Sequence, residues 1–219
     1  MTTVLLVRHG RTDANATGVL AGRSPGVGLD ATGRRQARSL GTRLRDLPLD
    51  ALVHSPLERC AQTADAILAA RPGAPIRRHV DDRLTECDYG AWTGRTLTDL
   101  AKERLWGQVQ RTPSQVVFPE GEAMSAMAER ALASVRFWVA EFPEGMVALV
   151  SHGDVIKAIL SDALAQPLDQ FQRIAVGPAS VSTVGYGPDR TMVLGMNDLG
   201  GRPRPSARAG QPTLGGGAG

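Results

Sequence analysis

Four apolar residues, Val4-Leu5-Leu6-Val7, run without interruption into Arg8, His9 and Gly10. A run this short, apolar at every position, reads as a strand buried on both faces. Such strands are typical of parallel sheets covered by helices on both sides. Open sheets of that kind place their ligand crevice at the carboxyl ends of the strands. Here the strand delivers an arginine and a histidine to that edge. Alone, an Arg-His-Gly turn is a weak signal. It gains weight only if other segments were built to meet it.

The rest of the chain alternates in the expected way. Residues 10–28 are rich in Gly, Thr and Asn and read as a loop. Asp30 is the expected N-cap of a helix carrying Ala37, Leu40, Gly41, Leu44 and Leu47 on one face, ended by Pro48. Ala51–His54 reads as a second strand. Ser55-Pro56-Leu57-Glu58 predicts a helix start, with Ser55 as N-cap, Pro56 at N1 and Glu58 closing a capping box. That helix runs to about Ala70, and residues 76–80 form a third strand.

Residues 84–119 break the alternation, with a short helix expected from Leu97 to Gln108 and a Pro-bounded loop from Thr112 to Gly121. An irregular insertion between a strand and a long helix is suited to covering a site, and residues 87–121 are read as a lid. Residues 122–142 are the longest helix, with Met124, Met127, Ala131, Val135 and Trp138 near one face. Met146–Val150 is a fourth strand, followed by Ser151-His152-Gly153-Asp154 and a helix from Val155 to Leu164. A helical piece at 168–173 and a hairpin of 181–186 with 191–194 close the domain. The expected fold is α/β, a three-layer α/β/α sandwich on a mostly parallel, mixed sheet, over residues 1–199. Residues 200–219 are dominated by Gly, Pro, Ala and Arg and are expected to be a disordered tail.

Charge excludes some functions. Lys and Arg number 25 against 22 Asp and Glu, but Arg202, Arg204 and Arg208 lie in an acid-free tail. Residues 1–200 are therefore formally neutral. With aromatics at only 4%, the basic stripe and stacking platforms of a nucleic-acid binder are missing. No apolar run approaches the ~20 residues needed to span a bilayer. Cys60 and Cys87 form no Cys-x-x-Cys pair, so neither a zinc site nor a disulfide framework is indicated. A reduced, cytoplasmic protein without membrane or nucleic-acid partners is the expectation. Its oligomeric state is left open.

Three strand ends and one loop can converge on a single edge. The first strand carries Arg8 and His9, the second Ser55 with Arg59 one helical turn on, and the fourth His152 and Gly153. The loop after the third carries Glu86. Paired guanidiniums suit a dianionic oxyanion such as phosphate, and helix N-termini at this edge favour the same charge. One neutral imidazole can attack phosphorus. A second, charged imidazole can stabilise the oxygens in flight. A carboxylic acid can protonate the leaving oxygen.

The chain resembles the phosphoglycerate mutase-like branch of the histidine phosphatase superfamily. Four segments carry the resemblance in order: residues 8–15, with Arg8-His9-Gly10 and Asn15; residues 55–64, with Ser55-Pro56-Leu57, Arg59 and Gln62-Thr63-Ala64; residues 86–90, with Glu86 and Tyr89-Gly90; and Ser151-His152-Gly153. Residues 29–37 also resemble the family's usual first-helix start. The resemblance implies a nucleophilic His9 that becomes phosphohistidine. Arg8, Arg59 and His152 would hold the phosphoryl oxygens, Glu86 would be the proton donor, and Asn15 and the Gly153 backbone would be secondary phosphate contacts. It implies no metal or organic cofactor, and a small phosphorylated metabolite as partner. Where mutases of the family carry Glu-Arg-x-Tyr-Gly and a Gly-x-Asn-Lys element, this chain has Cys87 and Gly94-Arg95-Thr96-Leu97, and Lys102, Arg104 and Arg111 are scattered rather than paired. A phosphohydrolase acting on small phosphomonoesters is therefore favoured. A phosphomutase on the same residues, and a phospho-ligand-binding protein without turnover, are the alternatives.

Overall fold

The computed structural model describes residues 1–73 and 76–201. The expected tail from residue 202 onward lies outside them. Six strands form one sheet: β1 (Thr2–Arg8), β2 (Ala51–His54), β3 (Arg77–Val80), β4 (Met146–Ser151), β5 (Val181–Tyr186) and β6 (Thr191–Asp198). Their order is β3-β2-β4-β1-β5-β6. The first four run parallel, and β5 and β6 are antiparallel additions at one side. The sheet is mixed and mostly parallel, as its apolar runs predict. The final strand continues to Asp198, four residues beyond the expected end of the hairpin.

Alternation along the strands builds two cores. Val4, Leu6, Ala51, Val53, Val147 and Leu149 face one side of the sheet. There they pack against α6 (Met124–Glu141) and α7 (Gly153–Ala163). Leu5, Val7, Leu52, Ala148 and Val150 face the other side and join α2 (Ala31–Leu44) and α3 (Glu58–Ala69). This is the three-layer sandwich, with both faces of the central strands withdrawn from water, each large aliphatic side chain contributing about 1.5–3 kcal/mol.

Several local expectations need correction. The loop over 10–28 contains a short helix, α1 (Asp13–Thr17), whose capping box is made by Thr12 and Asn15. The single helix expected over 97–108 is two, α4 (Leu97–Leu100) and α5 (Arg104–Arg111), separated at 101–103. The third strand starts at Arg77, α6 begins at Met124 and α7 starts directly at Gly153. Ser55 does not cap α3, whose N-cap is Leu57 without a side-chain bond. Its hydroxyl accepts only a long bond from Leu57 N–H (3.4 Å) and has a shorter partner, described below.

Residues 87–121 are bound into the larger core rather than laid over it. Trp92 is 3% exposed and packs on Phe118 and Trp106, with ring centroids 5.3 and 6.2 Å apart. Tyr89 meets Phe118 edge to face at 5.1 Å. Gly90 has φ +51°, and a Cβ there would collide with the Pro119 carbonyl, so only glycine fits beneath this segment. Among the described residues no helix is long and apolar enough to cross a membrane.

Candidate active site

Sheet register brings the strand ends level. Arg8 lies opposite Ser151 across β1 and β4, and His54 lies opposite Val150 across β2 and β4. The next residues extend the ladder: His9 donates its N–H to Ser151 O (3.0 Å) and Ser55 donates to Val150 O (3.0 Å). His9, Ser55 and His152 therefore leave the sheet at one height. The His9 and His152 rings meet edge to face with centroids 5.2 Å apart.

The Arg8-His9-Gly10 turn is fixed by its neighbours. Gly10 N–H donates to Thr63 Oγ1 (3.1 Å), which itself donates to Arg59 O (2.8 Å). A Cβ on Gly10 would lie 2.6 Å from the Gly33 carbonyl, and one on Gly33 would strike the Arg11 main chain. Two glycines thus let α2 press directly against the turn. Asp30 accepts from Gly33 N–H (2.6 Å) as the N-cap expected for α2.

Within this turn His9 Nδ1 lies 2.7 Å from Gly10 O. A carbonyl only accepts, so Nδ1 carries the proton and Nε2 keeps its lone pair. Burial, then the Arg59 and Arg8 guanidiniums, hold the His9 pKa well below the usual histidine value. The ring is neutral, the form that can attack phosphorus. Burial, Arg59 and His9 push His152 down in the same way. A phosphoryl dianion brought between these groups would favour the protonated ring. His152 Nε2 shares a 2.8 Å hydrogen bond with Ser55 Oγ. The same hydroxyl accepts a longer bond from Leu57 N–H (3.4 Å) at the start of α3.

The cations are buried. Arg8 is fully buried and donates from Nη1 to Val176 O (2.6 Å). Burial lowers its pKa to about 10, opposed by Glu86 and Asp154, so it stays charged at neutral pH. Arg59 donates from Nη2 to Gly22 O (2.8 Å), while its Nη1 is buried with no hydrogen-bond partner. A buried cationic donor left unsatisfied is costly unless an anion completes it. Asn15 Oδ1 accepts from the Thr12 N–H (3.1 Å) and hydroxyl (3.0 Å). Its amide NH₂ is then the group able to meet an oxyanion. Gly153 is the first residue of α7, with His152 as its N-cap, so its N–H belongs to the helix N-terminus.

Glu86 is buried, with Oε1 accepting from Cys87 N–H (2.9 Å). Burial, reinforced by Asp154, raises its pKa to about 7, so it can hold a proton near neutrality. Its main chain is clamped: Arg23 Nε (2.9 Å) and Arg130 Nη2 (3.1 Å) both donate to Glu86 O. Both arginines also bind Glu122 Oε1, at 2.8 and 2.7 Å.

Sequence reading missed Ser55 as a partner of His152. It also missed the Glu122–Arg130 clamp and a buried polar group behind the site. There Tyr89 donates its hydroxyl to Asp154 Oδ2 (2.7 Å), and Lys157 lies 3.5 Å from Asp154 Oδ1. The only signals for that group were adjacency: Asp154 follows His152-Gly153, and Tyr89 lies three residues after Glu86. His54 is a neighbour, its Nδ1 donating to Ser55 O (2.7 Å) while Nε2 accepts from Arg78 (3.0 Å). His79 packs on Trp138 with ring centroids 4.8 Å apart and the planes tilted by 48°. Cys60 touches the His152 ring, but burial pushes its thiol up to about 12, so it is inert filler there. Among the described residues no group of three His, Cys, Asp or Glu is placed to hold a metal ion.

His9, Arg59, Glu86 and Asn15 face one pocket, also lined by Ala14, Val19, Tyr89 and Leu97. Most of its wall comes from residues 12–22; the segment read as a lid supplies only Tyr89 and Leu97.

The chain is 33% identical over 198 residues to a protein of Salmonella arizonae described as "Probable phosphoglycerate mutase GpmB", covering 89% of this chain and 90% of that one. It is 35% identical over 190 residues to the Klebsiella pneumoniae protein of the same description, covering 85% and 86%. Among solved structures, YhfR of Bacillus stearothermophilus superposes with a TM-score of 0.83 at 27% identity, covering 90% of this chain and 98% of that one. The alpha-ribazole phosphatase of Shigella flexneri gives 0.78 at 26%, covering 90% and 96%. The family model for histidine phosphatase superfamily, branch 1, matches residues 4–199, and to that family the chain belongs.

Proposed function

We propose that this chain is a phosphohydrolase of small phosphomonoesters, working without a metal through a phosphohistidine on His9. One observation carries the reading: the neutral His9, its Nδ1–H tied to Gly10 O, shares a pocket with the buried, unpartnered Nη1 of Arg59. A nucleophile and an anion-seeking donor face the same space.

In the first step Nε2 of His9 bonds to phosphorus and the ester P–O bond breaks. Arg8, Arg59 and His152 hold the non-bridging oxygens, with Asn15 and the Gly153 N–H as further donors. Glu86 gives its proton to the departing oxygen, so a neutral alcohol leaves. In the second step a water bonds to phosphorus as the P–N bond breaks, and the Glu86 carboxylate takes the water's proton. Orthophosphate leaves with His9 and Glu86 restored.

The phosphatase named among the similar solved structures supports hydrolysis. The mutase description of the sequence relatives supports the second reading, in which a returning alcohol, rather than water, takes the phosphoryl group. Binding without turnover is opposed by the neutral His9 and the raised Glu86 sharing one site. The buried thiols of Cys60 and Cys87 support a reducing, cytoplasmic setting.

Rapid quench with p-nitrophenyl phosphate labelled at phosphorus tests the proposal. An acid-labile, base-stable phosphoprotein that vanishes in His9→Ala is expected. Turnover that EDTA abolishes, with no adduct at any time, would overturn it. Phosphorus NMR of products, with and without a bisphosphorylated primer, separates water from alcohol as acceptor.

A further inference from the structure

The pocket wall divides into two chemistries. Among the described residues, Arg59 and Glu86 are the charged side chains that line it, joined by His9 and Asn15. The remaining wall includes Ala14, Gly18, Val19, Leu20 and Leu97. This apolar part is built, not loose. Residues 18–20 and 94–97 form a strap closed by Leu20 N–H to Arg95 O (2.9 Å), Gly94 N–H to Leu20 O (2.8 Å) and Leu97 N–H to Gly18 O (2.8 Å). Arg59 Nη2 on Gly22 O ties the strap to the guanidinium whose Nη1 remains open.

Nearby cations on the surrounding segments are already paired. Arg11 binds Asp30 (2.7 Å), Arg23 binds Glu122 (2.8 Å) and Arg95 binds Glu103 (2.7 Å). An anionic group on the substrate beside the ester would therefore lose water against alanine, valine and leucine, with no further free cation among the described wall residues to receive it. It would also approach the Glu86 carboxyl. Burying a charge without a partner is strongly unfavourable, and unpaired charge is a common means of rejecting a competitor.

We infer that the site takes phosphomonoesters whose alcohol portion is uncharged and presents carbon to the strap, and that it discriminates against esters with a carboxylate or second phosphate beside the phosphoryl group. The inference rests on the hydrolase reading above. A bisphosphorylated primer belongs to the rejected class, so the same wall disfavours mutase turnover.

Glycerol 3-phosphate and 3-phosphoglycerate test this directly, because they differ in one hydroxymethyl against one carboxylate. Their kcat/KM values are to be compared, with p-nitrophenyl phosphate as reference. A preference of about tenfold or more for glycerol 3-phosphate is expected, a factor that corresponds to about 1.4 kcal/mol. Ala14→Arg, at a helical position that accepts arginine readily, and separately Val19→Arg, should bring the ratio towards one by improving phosphoglycerate. A wild-type ratio at or below one, with p-nitrophenyl phosphate still hydrolysed, overturns the inference. So does a large ratio that neither arginine variant reduces. No turnover of p-nitrophenyl phosphate removes the hydrolase reading itself, and this one with it.

Discussion

The hydroxyl of Ser55 lies 2.8 Å from Nε2 of His152, joining the carboxyl ends of β2 and β4 across the site. That bond sets the direction in which His152 presents its ring. Ser55→Ala should leave a buried ring nitrogen without its partner, at a cost of about 1–3 kcal/mol. If the lost bond is felt mainly in the transition state, kcat falls about 5- to 100-fold with little change in KM. Steady-state kinetics beside a thermal melt separate this from simple unfolding.

The Glu86 main chain is held by Arg23 and Arg130, and both lean on Glu122. Glu122→Gln removes the charge that anchors both arginines. It should lower stability by about 1–3 kcal/mol. It should also slow esters with poor leaving groups more than p-nitrophenyl phosphate, because proton delivery is what the clamp aligns. Equal slowing across leaving groups would count against this role.

Glu86 has its pKa raised to about 7 by burial and by Asp154, opposed by the Cys87 N–H, Arg59 and Arg8. As a proton donor it works below that value, so kcat/KM for poor leaving groups should decline as pH rises through about 7. Glu86→Gln should abolish this limb and cost about 10²–10⁴-fold for those esters. Asp154→Asn should move the limb to lower pH, since the carboxylate that helps hold the proton on Glu86 is gone. An unmoved limb in Asp154→Asn would refute the link.

His9 and His152 both sit well below the usual histidine pKa when folded, through burial first and Arg59 next. The unfolded chain then binds more protons than the folded one below about pH 6.5. Stability should be complete above that value and fall as pH drops below it. Denaturant midpoints between pH 5 and 8 should show the slope, and His152→Gln should flatten it. Orthovanadate, by pairing with the protonated ring, should do the same.

Much of this was legible in sequence because it depends on neighbours in the chain. Val4–Val7 running into Arg8-His9-Gly10 defines both a buried strand and what it delivers, and the same holds for Met146–Val150 and His152. Ser55 was misread because Ser-Pro-x-Glu satisfies a local capping pattern, while a histidine ninety-seven residues away competes for the hydroxyl and wins. Asp154 and Lys157 look like ordinary residues on the first turns of a helix. Their burial follows from Tyr89 and Gln172, partners that no spacing rule connects to them. The break at 101–103 escaped notice because Leu97, Leu100 and Leu105 continue an apolar pattern across it.

Trp92, Phe118, Val109 and Leu100 share a single core with Val4, Leu149 and Met127. The segment that carries Tyr89 and Leu97 to the pocket is thus no exchangeable cassette. Grafting the corresponding segment of a relative would import new pocket residues together with a new set of core shapes, and the hybrid would have to solve its packing before showing its specificity. Residues 12–22 put Leu20 into that core and are otherwise held by main-chain bonds to 94–97 and by Arg59 on Gly22 O, so their other wall side chains can change with less repacking. Selectivity in this chain is better re-engineered there, one wall position at a time.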